Sequence, residues 1–154
     1  MVSTGLLIFA ASLTVAGDTV PSQPVSVSMV AAEARNEGRA QQYFAPGLER
    51  VRRALASLDF DTFYHIQSAE IPAPFGETQT IYINKKYKLQ ITPVSQMDDG
   101  RVRLRAQITA RSKDGSRTVK ALDTTLQIKP GMLLNLGGLH LDSGGELILV
   151  ISIK

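Results

Sequence analysis

From residue 60 onward the chain repeats one motif: a stretch of alternating apolar and polar residues, then a cluster of Gly, Pro, Asp or Asn. Alternation with period two is the pattern of a half-buried strand, and the clusters mark turns. The predicted strands are 62–71, 78–84, 87–94, 101–111, 118–128, 132–136 and 146–153. No helical stretch separates them, so consecutive antiparallel hairpins are expected rather than parallel crossovers. Upstream, Val25, Val27 and Met29 alternate with serines and predict a strand through about residue 32. The polar 33–42 segment contains Gly38 and reads as a loop. A helical reading of 29–42 is the alternative, because Ala, Glu, Arg and Gln favour helix.

The hairpin registers test one another. Pairing around 84–86 sets Ile81 against Leu89 and Ile83 against Tyr87, all inward. Pairing around the 97–100 turn sets Leu89 against Ile108 and Ile91 against Ala106. Across Asp114-Gly115, a two-residue hairpin turn, Ala110 meets Val119 and Ile108 meets Ala121. Beyond that the parity fails, because Leu126 and Ile128 would point outward. One extra residue restores them opposite Leu104 and Val102, which predicts a β-bulge at 121–123. Lys129-Pro130-Gly131 then fits a three-residue hairpin loop with Gly131 at positive φ.

Two segments depart from alternation. Leu147, Ile148, Leu149, Val150 and Ile151 are apolar without a break, so that strand is covered on both faces. In 46–58, Leu48, Val51, Leu55 and Leu58 recur at helical spacing after Pro46, which suits a first helical position. This helix is the expected cover for the last strand. The predicted fold is α+β and mostly β: an antiparallel meander or β-sandwich of about seven to eight strands with one packed helix, 46–58.

The N-terminus differs again. Residues 1–17 carry no charged side chain, and 5–16 form an apolar run. That run is shorter than the roughly 20 residues a membrane-spanning helix needs. It fits a signal peptide, with Val15-Ala16-Gly17 offering small residues before a cleavage point, although no Lys or Arg precedes it. Export is favoured over a buried N-terminal element of the domain. Residues 18–24, with Pro21 and Pro24, read as a linker. The division is then 1–17 signal peptide, 18–24 linker, and 25–154 one β-rich domain. The expected destination is the bacterial periplasm or exterior.

Composition narrows the chemistry. The 154 residues include no Cys, no Trp and two His. Disulfide frameworks, cysteine-based zinc or iron–sulfur sites and cysteine nucleophiles are excluded. His65 and His140 lie in no paired-His motif, and no metal or cofactor is expected. No Gly-x-Ser-x-Gly elbow, Ser-x-x-Lys pair or phosphate loop occurs. Asp98-Asp99-Gly100 reads as a turn, and Gly137-Gly138 as a backbone requirement. An enzyme is the weakest reading; it would use Asp59, Asp61 or His65 in a cleft, and it requires two convergent groups there.

Charge changes the picture more. The net charge of +3 conceals an asymmetry, since residues 85–129 hold 11 Lys/Arg against 4 Asp/Glu. Arg101, Arg103 and Arg105 alternate with Val102, Leu104 and Ala106 and so share one sheet face. Arg111 shares it, and Lys88 lies on the neighbouring strand. These five form the candidate partner-binding surface, for an acidic protein, a polyanion or an anionic membrane. An ordinary solvated face that resists edge aggregation is the plainer account. Nucleic acid is disfavoured, because Tyr87 points inward and no aromatic lies in 88–154.

One short segment has a likeness. Asp123-Thr124-Thr125-Leu126-Gln127-Ile128-Lys129-Pro130-Gly131, with Leu134-Asn135-Leu136-Gly137-Gly138-Leu139 after it, resembles the Gly-Gly-Leu hairpin of bacterial secretins. More broadly, 25–153 is similar to small exported bacterial proteins of like strand pattern that have no assigned activity. The resemblance implies bacterial export and β structure, and it transfers no site residues. The expected function is a non-catalytic exported module that binds a protein partner, an accessory or assembly subunit of a larger envelope complex. Self-association is a further expectation. A polyanion- or ligand-binding module on the basic face is the alternative, and a small hydrolase the weakest one.

Overall fold

A computed structural model describes residue 21 and residues 23–154. The expected signal peptide and most of the linker lie outside the described residues. The elements in chain order are β1 (Val25–Arg35), β2 (Tyr43–Phe44), α1 (Arg52–Ala56), β3 (Thr62–Ala73), β4 (Gln79–Tyr82), β5 (Tyr87–Gln96), β6 (Val102–Arg111), β7 (Thr118–Ile128), β8 (Leu134–His140) and β9 (Glu146–Ile153). They form two sheets, one ordered β2-β3-β1-β9-β8 and the other β4-β5-β6-β7. The mostly-β, sandwich-like fold expected from the pattern is therefore present.

Only the second sheet is a meander of sequential hairpins. There Ile81 lies opposite Leu89, Leu89 opposite Ile108 and Ile91 opposite Ala106, as alternation requires. A bulge at Val94 that alternation did not reveal sets Ser95 opposite Arg103 and Gln96 opposite Val102, one residue off the expected pairing around 97–100. Ile108 pairs with Leu122 and Thr109 with Lys120, which leaves Ala121 as the extra residue of a bulge within the expected 121–123 span. Leu126 and Ile128 thereby face Leu104 and Val102. The turn at 129–131 does not close a hairpin. Gly131 has φ of +84°, as its place in a turn suggested, but it carries the chain from β7 in one sheet to β8 in the other. Local alternation constrains a turn and leaves open which strand comes next.

The first sheet is built on non-local pairs. β1 lies between β3 and β9, antiparallel to both. Its inward residues Val27, Met29 and Ala31 join Leu147, Leu149 and Ile151, and these pack on Leu89, Ile91, Leu104 and Ile108 of the facing sheet. A second cluster lies on the outer side of the first sheet. Val30, Ala32, Ala34, Ile148 and Val150 are covered there by Leu48, Val51, Leu55 and Phe63. This accounts for the unbroken apolar run of β9.

The cover is not the long helix expected at 46–58. Only 52–56 is α-helical. Gly47 takes φ of +96°, a left-handed value no helix accommodates, and Val51 N–H bonds Leu48 at i−3 rather than i−4. A tight turn preserves the spacing of Leu48, Val51 and Leu55, so the apolar stripe forms without the helix. Other corrections are local. β1 runs to Arg35, β8 begins later and extends to His140, and β2 is a two-residue parallel strand that alternation cannot reveal.

Candidate functional site

The outer face of the four-stranded sheet bears no covering layer among the described residues, and it carries the expected cations. Lys88 lies opposite Tyr82 on one side and Thr109 on the other. Arg103 and Arg105 follow in the outward row of β6, and Arg111 ends it opposite Thr118. Arg101 directly precedes β6.

The structure divides these residues into two groups. Arg105 donates from Nε and Nη2 to Asp123 at 3.2 and 3.0 Å, and Gln107 and Lys120 donate to the same carboxylate at 3.1 and 3.0 Å. Arg105 first, then Lys120 and Gln107, hold the Asp123 carboxyl far below the usual carboxylate range. Arg101 donates from Nε to Asp99 at 2.6 Å and from Nη1 to Gln127 at 3.0 Å. Its backbone N–H, and then its guanidinium, lower the Asp99 carboxyl. Arg103 sits between them, opposite Ser95. At this end of the face Arg101 and Arg105 are engaged by carboxylates of the same sheet.

The other end differs. The 84–88 and 111–117 segments contain six Lys/Arg and one acidic residue, Asp114. Asp114 is committed to its own turn: the Ser112 hydroxyl, then the N–H and hydroxyl of Ser116, hold its carboxyl down to about 2. Lys86 reaches Asp142 at 3.4 Å. Lys85, Lys88, Arg111, Lys113 and Arg117 make no ion pair within the described residues. Both hairpins close at the same end of the sheet, since Arg111 N–H bonds the Lys86 carbonyl at 2.7 Å. Between them lies an open cleft of about 360 Å³ lined by Tyr82, Lys85, Lys88, Thr109, Arg111 and Thr118. The Thr109 hydroxyl in its wall is shielded from solvent and has no hydrogen-bond partner among the described residues.

Tyr82 is the residue the sequence reading missed. It is 70 % exposed and stands beside Lys88. The signal was present, since Ile81 and Ile83 face inward and the residue between them must face out. Tyr87 behaves as expected: it is buried, and its hydroxyl donates to the His140 carbonyl at 2.7 Å.

The residues weighed for catalysis are not brought together. Asp61 is consumed by the 36–42 loop, accepting from the N–H groups of Glu37, Gly38 and Arg39 at 2.8, 2.8 and 2.9 Å. The Glu37 N–H, then the Thr62 hydroxyl, hold its carboxyl down to about 2. Asp59 engages that loop through its backbone carbonyl. His65 does meet one reactive group, with Nε2 2.8 Å from Ser68 Oγ. A bulge explains the contact: Ala31 and Ala32 pair with Gln67 and His65, leaving Ile66 as the extra residue. Residues three apart thereby reach one face of the strand. Ser68 also lines an open cleft of about 420 Å³ with Ser28, Arg50, Glu70, Ser152 and Lys154. Which of the two donates depends on the imidazole tautomer, and no carboxylate among the described residues lies within ion-pair distance of the ring to fix it, although the charge of Glu49 is felt there.

No cluster of three His, Asp or Glu suited to a metal occurs among the described residues, and none of their helices is long and apolar enough to cross a membrane. No family model, curated protein or solved structure matches this chain.

Proposed function

We propose that the protein is a non-catalytic, exported binding module that holds an acidic segment of a protein partner at the hairpin end of its four-stranded sheet. On this reading it serves as an accessory or assembly subunit of a bacterial envelope complex. One observation carries the proposal: Lys85, Lys88 and Arg111, which make no ion pair among the described residues, line one cleft beside an exposed tyrosine, while Arg101 and Arg105 on the same sheet are paired with Asp99 and Asp123. Cations whose charge is not already met by a carboxylate attract an acidic partner and steer its approach. Tyrosine adds apolar contact area at low entropic cost. Export rests on the uncharged 1–17 segment and its apolar run at 5–16.

The test is titration calorimetry with an octaglutamate peptide, followed by isolation of the native protein with its associated chains. Binding that weakens as salt rises, and a co-purifying acidic polypeptide, are expected. Heparin retention without peptide binding would favour a polyanion ligand instead. Absence of both would contradict the proposal. For the hydrolase alternative, Ser68 is expected to remain unlabelled by a fluorophosphonate probe.

A further inference from the structure

The four outer strands of the two sheets differ in how well they guard their free backbone. β2 is two residues long and β4 four. β8 is interrupted by a bulge at Gly137-Gly138, where Leu136 and Leu139 pair with Leu149 and Leu147. β7 is eleven residues long. Its first part is guarded by Lys120 and by the Ala121 bulge, two devices that discourage strand addition. Residues 122–128 have neither. They pair without interruption along β6, from Ile108–Leu122 to Val102–Ile128, and contain no Lys, Arg, Pro or Gly. Pro130, which has no N–H to offer a neighbouring strand, follows directly.

The side chains of this window are also incompletely covered. Leu122 and Leu126 are half-buried against the main core, as are Leu134 and Leu136 of β8. β7 and β8 are joined by the short 129–133 connection and are the edge strands of opposite sheets. Among the described residues the sandwich is therefore left partly open along this side.

We infer that residues 122–128 form an isologous interface with the same residues of a second copy, joining two four-stranded sheets antiparallel across a two-fold axis at Thr125. The occupant is a second copy because the window is complementary to itself. A dyad at its midpoint is the only register that pairs all seven residues. It sets Leu122 against Ile128 and Thr124 against Leu126, inward to inward. Outward, it sets Asp123 against Gln127 and Thr125 against itself. No like charges meet, apolar side chains face apolar ones at Leu122–Ile128, and Thr125 against itself is a pair whose hydroxyls can hydrogen-bond across the strands. A dyad at Asp123 would oppose two carboxylates. Closed two-fold pairing also removes the free edge instead of propagating it.

The absence of cysteine makes the register directly readable. Thr125 is exposed, so substitution there leaves the core intact. A Thr125→Cys variant places its only thiols on the dyad. Cα atoms across an antiparallel pair are about 4.5–5.5 Å apart, within the roughly 4.4–6.8 Å that a disulfide spans. Mild oxidation is expected to give a covalent dimer of Thr125→Cys and not of Thr80→Cys, a control on the β4 edge. In sedimentation equilibrium the unmodified chain is expected to dimerise, and Thr125→Lys to weaken dimerisation about fivefold through opposed like charges. A chain that stays monomeric at high concentration, or equal cross-linking at both cysteine positions, would overturn the inference.

Discussion

The two sheets share one core and differ on their outer faces. The five-stranded sheet buries its outer side a second time, under Leu48, Val51, Leu55 and Phe63. The four-stranded sheet leaves Lys88, Gln90, Thr92 and Arg105 facing outward. The covered sheet joins β1 and β3 to the C-terminal strand, and the bare one presents the charged surface. A sheet relieved of packing duty on one side is free to carry recognition there, because substitutions on that side leave no cavity.

The comparison can be broken by mutation, and the largest effects belong to the covered side. Phe63 is fully buried, with Phe44 stacked 5.0 Å away. Phe63→Ala is expected to lower stability by about 3–5 kcal/mol, whereas Gln90→Ala on the bare face should change it by less than about 0.5 kcal/mol. Urea unfolding measures both, and similar losses would refute the division.

Gly137→Ala comes next. An added Cβ would lie 2.8 Å from Ile148 Cδ1 in the second cluster. Overpacking there should cost about 1–3 kcal/mol, seen as a lowered melting temperature.

Acid has a smaller, graded effect. Asp61 and Asp114 have folded-state values of about 2, below the ordinary 3.8. Their stabilisation is complete above about pH 4 and is lost as the pH falls towards 2. Asp61→Asn should lower the urea midpoint at pH 7 and flatten its fall between pH 4 and 2. An unchanged pH profile would show that the 36–42 loop does not depend on that carboxylate. The smallest effect on folding is expected from Lys88→Ala, which removes a side chain with no ion pair and should leave the urea midpoint nearly unchanged.

Much of this was legible in the sequence where the information is local. Alternation gave the core pairings of the four-stranded sheet and placed a bulge within 121–123, because a one-residue slip turns every later side chain over. It missed the Val94 bulge and set Ile108 opposite Ala121 where the structure pairs it with Leu122. The unbroken run in β9 announced its double burial. What failed was non-local or torsional. Nothing in Val25–Arg35 says that β1 pairs with both β3 and β9, since pairing partners distant in sequence leave no mark on periodicity. The spacing of Leu48, Val51 and Leu55 fits a helix and a tight turn alike, and Gly47 decided between them. Within the site, alternation placed Lys88, Arg103 and Arg105 on one face. It could not show that Asp99 and Asp123 would fold back to neutralise Arg101 and Arg105, because those contacts depend on side-chain reach.

The most direct test compares two double variants with equal change in net charge. Lys88→Ala/Arg111→Ala removes cations that have no acidic partner, and Arg101→Ala/Arg105→Ala removes cations already paired with Asp99 and Asp123. Octaglutamate affinity is expected to fall about tenfold for the first and by no more than about twofold for the second, as desolvated or unpaired charges dominate recognition and neutralised surface pairs add little. Equal losses in the two variants, or no loss in the first, would contradict a binding site at the hairpin end.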